Sequence, residues 1–189
     1  MNRILVLVFI VFIIEGISKQ FPKDIELHRL ALPVGITITG ERFGSSTGSF
    51  VSGIGDCDSD KIDDLLICAE RANTTLEQRY VESGRCYIVF GRNSTESWSS
   101  IEPLSNLNGT RGRIVDGTFN KEGLGLTATS GNFFGDGFRS VVMSVGVFAK
   151  VFWVSGKDIK KMPSPVYLDM PDHYVKRINV RQQPNQFGQ

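Results

Sequence analysis

Four aspartates in one short stretch carry the clearest chemical potential of this chain: Asp56, Asp58, Asp60 and Asp64, within Gly55–Ile67. Counted from Asp56, they occupy positions 1, 3, 5 and 9. Alternating acids in a tight turn direct their oxygens at one point. A hard cation that takes six to eight oxygens suits such a turn, and calcium is the natural candidate. The backbone carbonyl of Ile62 would add a further ligand. Without a cation, carboxylates this close repel and raise one another's pKa. The loop is not an EF-hand: Ile67 stands where that loop needs glutamate, and a strand-like run follows where a helix would be required. Lys61 sits where the turn asks for glycine, so a cationic residue would have to take the left-handed conformation. The competing reading is an acidic, solvated turn with no metal.

The segments that must position these acids read as strands. Short apolar runs bounded by Gly, Asn, Asp and Ser fall at Gly35–Thr39, Ser49–Ile54, Asp64–Ala69, Cys86–Phe90, Arg113–Val115, Val141–Val145 and Val151–Val154. No stretch after residue 18 holds a capped 3.6-residue apolar period, so the expectation is all-β. The chain also repeats. Gly84–Gly91 aligns with Ala149–Gly156, Asp60–Leu66 with Asp136–Val142, and Arg113–Gly117 with Arg177–Arg181, at offsets of 65, 76 and 64. A unit of this length points to a propeller or solenoid, each unit one antiparallel sheet covered by its neighbours. Two units and the start of a third would leave open edges, which invite self-association. In the second copy of the loop only Asn132 and Asp136 stand as side-chain ligands, so a structural turn with weak or no metal binding is expected there.

Other chemistry is sparse. Among 189 residues, net charge +1 excludes broad capture of nucleic acid. The two histidines, His28 and His173, lie far apart. Cys57, Cys68 and Cys86 include no Cys-x-x-Cys pair. Gly44–Gly48 has serine at its centre but no base partner, and no phosphate loop is present, so a non-enzymatic protein is expected. Cys68 and Cys86 lie in runs that could be neighbours. A bridge between them and two small buried side chains are equally open readings.

The first residues read as an address. Arg3 precedes an 11-residue apolar run, Ile4–Ile14, with small residues at 16 and 18. In helix that run rises only about 16 Å, against about 30 Å of hydrocarbon, which favours a secretory signal peptide cleaved near Ser18 over a membrane anchor. Secretion gives meaning to the three sequons at Asn73, Asn93 and Asn108 as glycan acceptors.

The run Gly48–Ala69, with Gly-Asp-x-Asp-x-Asp and then Asp-Asp-Leu-Leu-Ile, resembles the FG-GAP repeats of integrin alpha-chain β-propellers. Gly84–Gly91, the Asn108-Gly109 turn and the Phe43-Gly44 and Phe187-Gly188 dipeptides resemble further parts of that repeat, although Cys68-Ala69-Glu70 stands in place of Gly-Ala-Pro. The resemblance implies an incomplete propeller of four-stranded blades. Residues 1–18 would be a signal peptide, 19–32 a leader, 33–100 a first blade with the calcium loop, 101–165 a degenerate second blade and 166–189 a truncated third. It further implies Ca²⁺ held by Asp56, Asp58, Asp60, Asp64 and the Ile62 carbonyl, in a structural role. The function implied is that of a secreted or cell-surface module binding an extracellular protein or glycan. The alternative is a fragment of a larger FG-GAP protein without independent function, or a non-catalytic module beside an extracellular enzyme.

Overall fold

The structure is a computed structural model, and it describes residues 5–8, 36–74, 80–92, 101–146, 150–168 and 175–179. It is built mostly of strands, in several sheets, none of them closed. The first large sheet takes β3 (Thr47–Gly55), β4 (Asp64–Ala69), β5 (Arg85–Val89) and β7 (Gly112–Asp116), neighbours in that order and all antiparallel. A two-residue strand, β11 (Val166–Tyr167), adds to β7 in parallel. The second large sheet repeats the pattern with β8 (Leu124–Gly131), β9 (Ser140–Val145), β10 (Lys150–Val154) and β12 (Val175–Asn179). A smaller sheet centres on β2 (Ile36–Thr39), with β1 (Leu5–Val8) antiparallel to it and β6 (Ile101–Pro103) parallel.

The aligned sequence segments land on equivalent strands: β4 on β9, β5 on β10, β7 on β12. The closing pair of the first hairpin follows the same offset of 76, Gly55 opposite Asp64 and Gly131 opposite Ser140. Two glycines make the equivalence physical. A Cβ on Gly91, just past β5, would meet the carbonyl oxygen of Asp63 at 2.5 Å. A Cβ on Gly156, just past β10, would run into the carbonyl oxygen of Arg139, the residue equivalent to Asp63. In both sheets the third strand ends so close to the backbone entering the second that only glycine fits.

The first sheet is covered on both faces, which is why β4 and β5 read as unbroken apolar runs. Successive side chains alternate sides. Leu66, Cys68, Cys86, Ile88 and Val115 meet Val141, Met143, Val145, Phe152 and Val154 of the second sheet in one core. Ile67, Ala69, Tyr87 and Val89 face the other way and pack with Ile36, Ile38, Leu104 and Leu107. Cys68 and Cys86 lie opposite each other in the β4–β5 register and form a disulfide. Of the two readings left open by the sequence, the bridge is the one the structure contains. Closing 18 residues of chain, it contributes roughly 3 kcal/mol in a loop-entropy account.

Three features of this topology stand beside the sequence reading. The change from one large sheet to the next falls between Asp116 and Leu124, because β7, hydrogen-bonded to β5, is the fourth antiparallel strand of the first sheet. Among the described residues after 165, none opens a third sheet: β11 extends the first and β12 completes the second. Leu5–Val8, within the apolar run read as an address, is a strand pairing with β2, and cleavage of that segment would leave β2 paired with β6 alone.

Candidate metal centre

The acidic loop joins β3 to β4, and Asp64 is the first residue of β4. Its carboxylate is buried and joins three segments: Oδ2 accepts the Cys57 N–H at 2.8 Å, and Oδ1 accepts the Gly91 N–H at 2.9 Å. One side chain thus ties the start of the loop, the head of β4 and the end of β5. Asp56 organises the turn itself. Its Oδ1 accepts the N–H groups of Ser59 at 2.6 Å and Asp60 at 3.1 Å, and its Oδ2 accepts that of Lys61 at 2.9 Å. Asp58, also buried, accepts the Asp60 N–H at 3.1 Å and meets the Lys160 ammonium at 3.2 Å. Lys160 comes from the 3-10 turn Gly156–Lys161 that follows β10, so the second sheet reaches back to the loop of the first.

Asp56, Asp58 and Asp64 each offer an oxygen, and these lie within 4.8 Å of one another. Two oxygens on opposite sides of a calcium ion, each 2.3–2.6 Å from it, are separated by about 5 Å, so the spacing fits a hard divalent cation. The electrostatics agree. Burial, above all, pushes the Asp64 carboxyl up to about 7, with Asp58 and Asp60 adding repulsion, even though two backbone N–H groups favour its charged form. Burial likewise raises Asp58, against the pull of Lys160. A cation among the three would relieve both effects at once. Cys57, between Asp56 and Asp58 in sequence, is a free, buried thiol whose pKa is pushed up to about 12, first by burial and then by Asp64, which leaves it unreactive.

The remaining sequence candidates separate from this group. Asp60 lies outside the three-carboxylate cluster, and its Oδ1 accepts the Ile62 N–H at 2.8 Å. Lys61 does take the left-handed conformation, with φ 73°, as does Ser59 with φ 68°. In the second copy, Gly135 and Gly137 supply the positive φ, and the Asp136 Oδ1 accepts the Phe138 N–H at 3.1 Å. Asn132 is exposed there. Of the sequons, Asn73 and Asn108 are exposed. Their Oδ1 atoms accept the N–H groups of Glu82 and Thr110 respectively. Asn93 lies outside the described residues, as do His28 and His173.

Sequence reasoning missed Lys160 and the Gly91 N–H. The latter was within reach, because Gly91 and Gly156 already aligned as the ends of equivalent segments. Lys160 carried no signal, since nothing local says that a turn 100 residues downstream returns to the loop. No protein-family model matches the chain, and no curated protein matches it in sequence.

Proposed function

We propose that this chain is a calcium-stabilised binding module of the FG-GAP propeller type, working outside the cell. One observation carries the reading: Asp56, Asp58 and Asp64 present oxygens within 4.8 Å of one another in a loop whose central carboxylate is buried. Calcium in this loop neutralises the acids, holds the β3–β4 turn and keeps β4 and β5 in register through Asp64. Its role is structural, and the binding surface for an extracellular protein or glycan lies elsewhere. The two sets of four antiparallel strands support the blade assignment, because the aligned segments take equivalent sheet positions and each third strand ends on a close-approach glycine.

Thermal unfolding in calcium and in chelator tests it. At calcium one hundred times its dissociation constant, binding to the native state alone adds about 2.7 kcal/mol. For a domain of this size that raises Tm by roughly 5–10 °C. Asp58→Ala should remove the rise, and a wild-type Tm equal in both conditions would refute the reading.

A second reading, a fragment of a longer repeat protein, is favoured by the far face of the second sheet. Trp153 points away from the core residues Phe152 and Val154, with the Phe134 ring 4.3 Å from its own, and Leu126 is exposed. In the first sheet the aligned face is covered; Ile88, the counterpart of Trp153, is fully buried against the second sheet.

A further inference from the structure

Beside the aspartate loop opens a cavity of about 830 Å³. Four cationic side chains line it, Arg92, Arg111, Arg113 and Lys160, against two carboxylates, Asp58 and Asp60. Three of the cations have carboxylate partners. Arg92 and Arg111 share Glu102, at 3.5 and 2.8 Å, and Lys160 meets Asp58. Arg113 differs. It is only 5% exposed, and its guanidinium donates to backbone carbonyls: Ile159 at 2.8 Å, Lys160 at 2.5 Å, and those of Gly109 and Gly112. Among the described residues no carboxylate stands within ion-pair distance of it. Carbonyl dipoles orient a guanidinium but do not cancel its charge, and a buried charge without a counter-ion is costly. Burial accordingly pulls the Arg113 pKa below its usual value, with Asp58 opposing from a distance.

We propose that this cavity binds a small organic anion bearing sulfate or carboxylate groups, with Arg113 as a buried positive charge behind it and Arg111 and Lys160 as donors at its mouth. Arg113 has given four of its five N–H groups to carbonyls, so it supplies positive charge and one remaining hydrogen bond, while the half-exposed guanidinium of Arg111 presents the planar fork that suits two-oxygen recognition. The volume lies in the range of pockets that enclose a ligand of disaccharide size. Asp58 belongs to both sites. A cation held by Asp58 competes with Lys160 for that carboxylate and frees the ammonium for the anion, so the two ligands favour each other. The inference rests on the calcium reading for this coupling alone.

Isothermal titration of the full chain, with calcium and with chelator, separates the two. The probes are inorganic sulfate, citrate and a sulfated disaccharide. The disaccharide should bind saturably at one site, and at least fivefold more weakly to Arg111→Ala, whose replaced side chain is 45% exposed and whose folding is checked by its thermal midpoint. Calcium should tighten binding about fivefold in wild type and not in Lys160→Ala. Sulfate binding as tightly as the disaccharide would support the cavity and identify a free anion as its occupant. Anion binding in chelator by a chain that takes up no calcium would keep the cavity and remove the calcium reading. The proposal is overturned if folded wild-type protein binds none of the three probes in either condition, or if Arg111→Ala binds them unchanged.

Discussion

Asp64 differs from the other loop acids in what it touches. Its oxygens hold two backbone N–H groups from separate segments, so its charge state is coupled to the geometry of β4 and β5. Asp60 bonds within its own turn and is not one of the three clustered acids. The two aspartates therefore separate by mutation. Lys61 is the residue that fits its place least. A side chain held at φ 73° costs about 1 kcal/mol or more relative to glycine, and its charge opposes a cation. Lys61→Gly should raise stability in chelator by about 1 kcal/mol, read from urea unfolding midpoints at constant m-value, and tighten calcium binding as well. A loss of stability would mean that Lys61 makes a contact that outweighs the strain.

Strands whose faces are both buried announced themselves. Asp64–Ala69 was bounded correctly from sequence, and Cys86–Phe90 missed β5 by one residue at each end, because continuous apolar runs leave little ambiguity. Leu124–Gly131 escaped notice: Leu124, Leu126 and Ala128 alternate, but two glycines, two threonines and a serine dilute the signal in a strand that is only partly buried. The partner of β7 was equally hidden, since a parallel pairing to Val166–Tyr167 leaves no local trace. Three of the four loop acids were brought together as their spacing suggested, while the lysine that meets Asp58 was set by tertiary packing alone. The close approach at the end of each third strand gives a test of the repeat. Gly156→Ala places a methyl group against the backbone carbonyl of Arg139 and should cost 1–3 kcal/mol by overpacking. Chemical denaturation reads it directly. An unchanged midpoint would show that the two sheets do not share this junction.

Among the described residues three sheets stack, and the first large one sits between the other two. Its buried faces explain the disulfide and most of the core. The second large sheet keeps one face with Trp153, Phe134 and Leu126 turned away from that core. Apolar sheet faces seek cover. The chain should therefore self-associate in sedimentation velocity, and Leu126→Glu combined with Phe134→Glu should return it to monomer without lowering Tm. A wild-type chain that stays monomeric at high concentration would show the face to be stable in water. A divalent cation held by the acidic loop is the central proposal. Calcium titration calorimetry on the folded chain, run alongside Asp58→Ala and Asp60→Ala, tests it most directly. One saturable site is expected in wild type, lost in Asp58→Ala and kept with reduced affinity in Asp60→Ala. No saturable heat from folded wild-type protein, or an isotherm unchanged by Asp58→Ala, would contradict it.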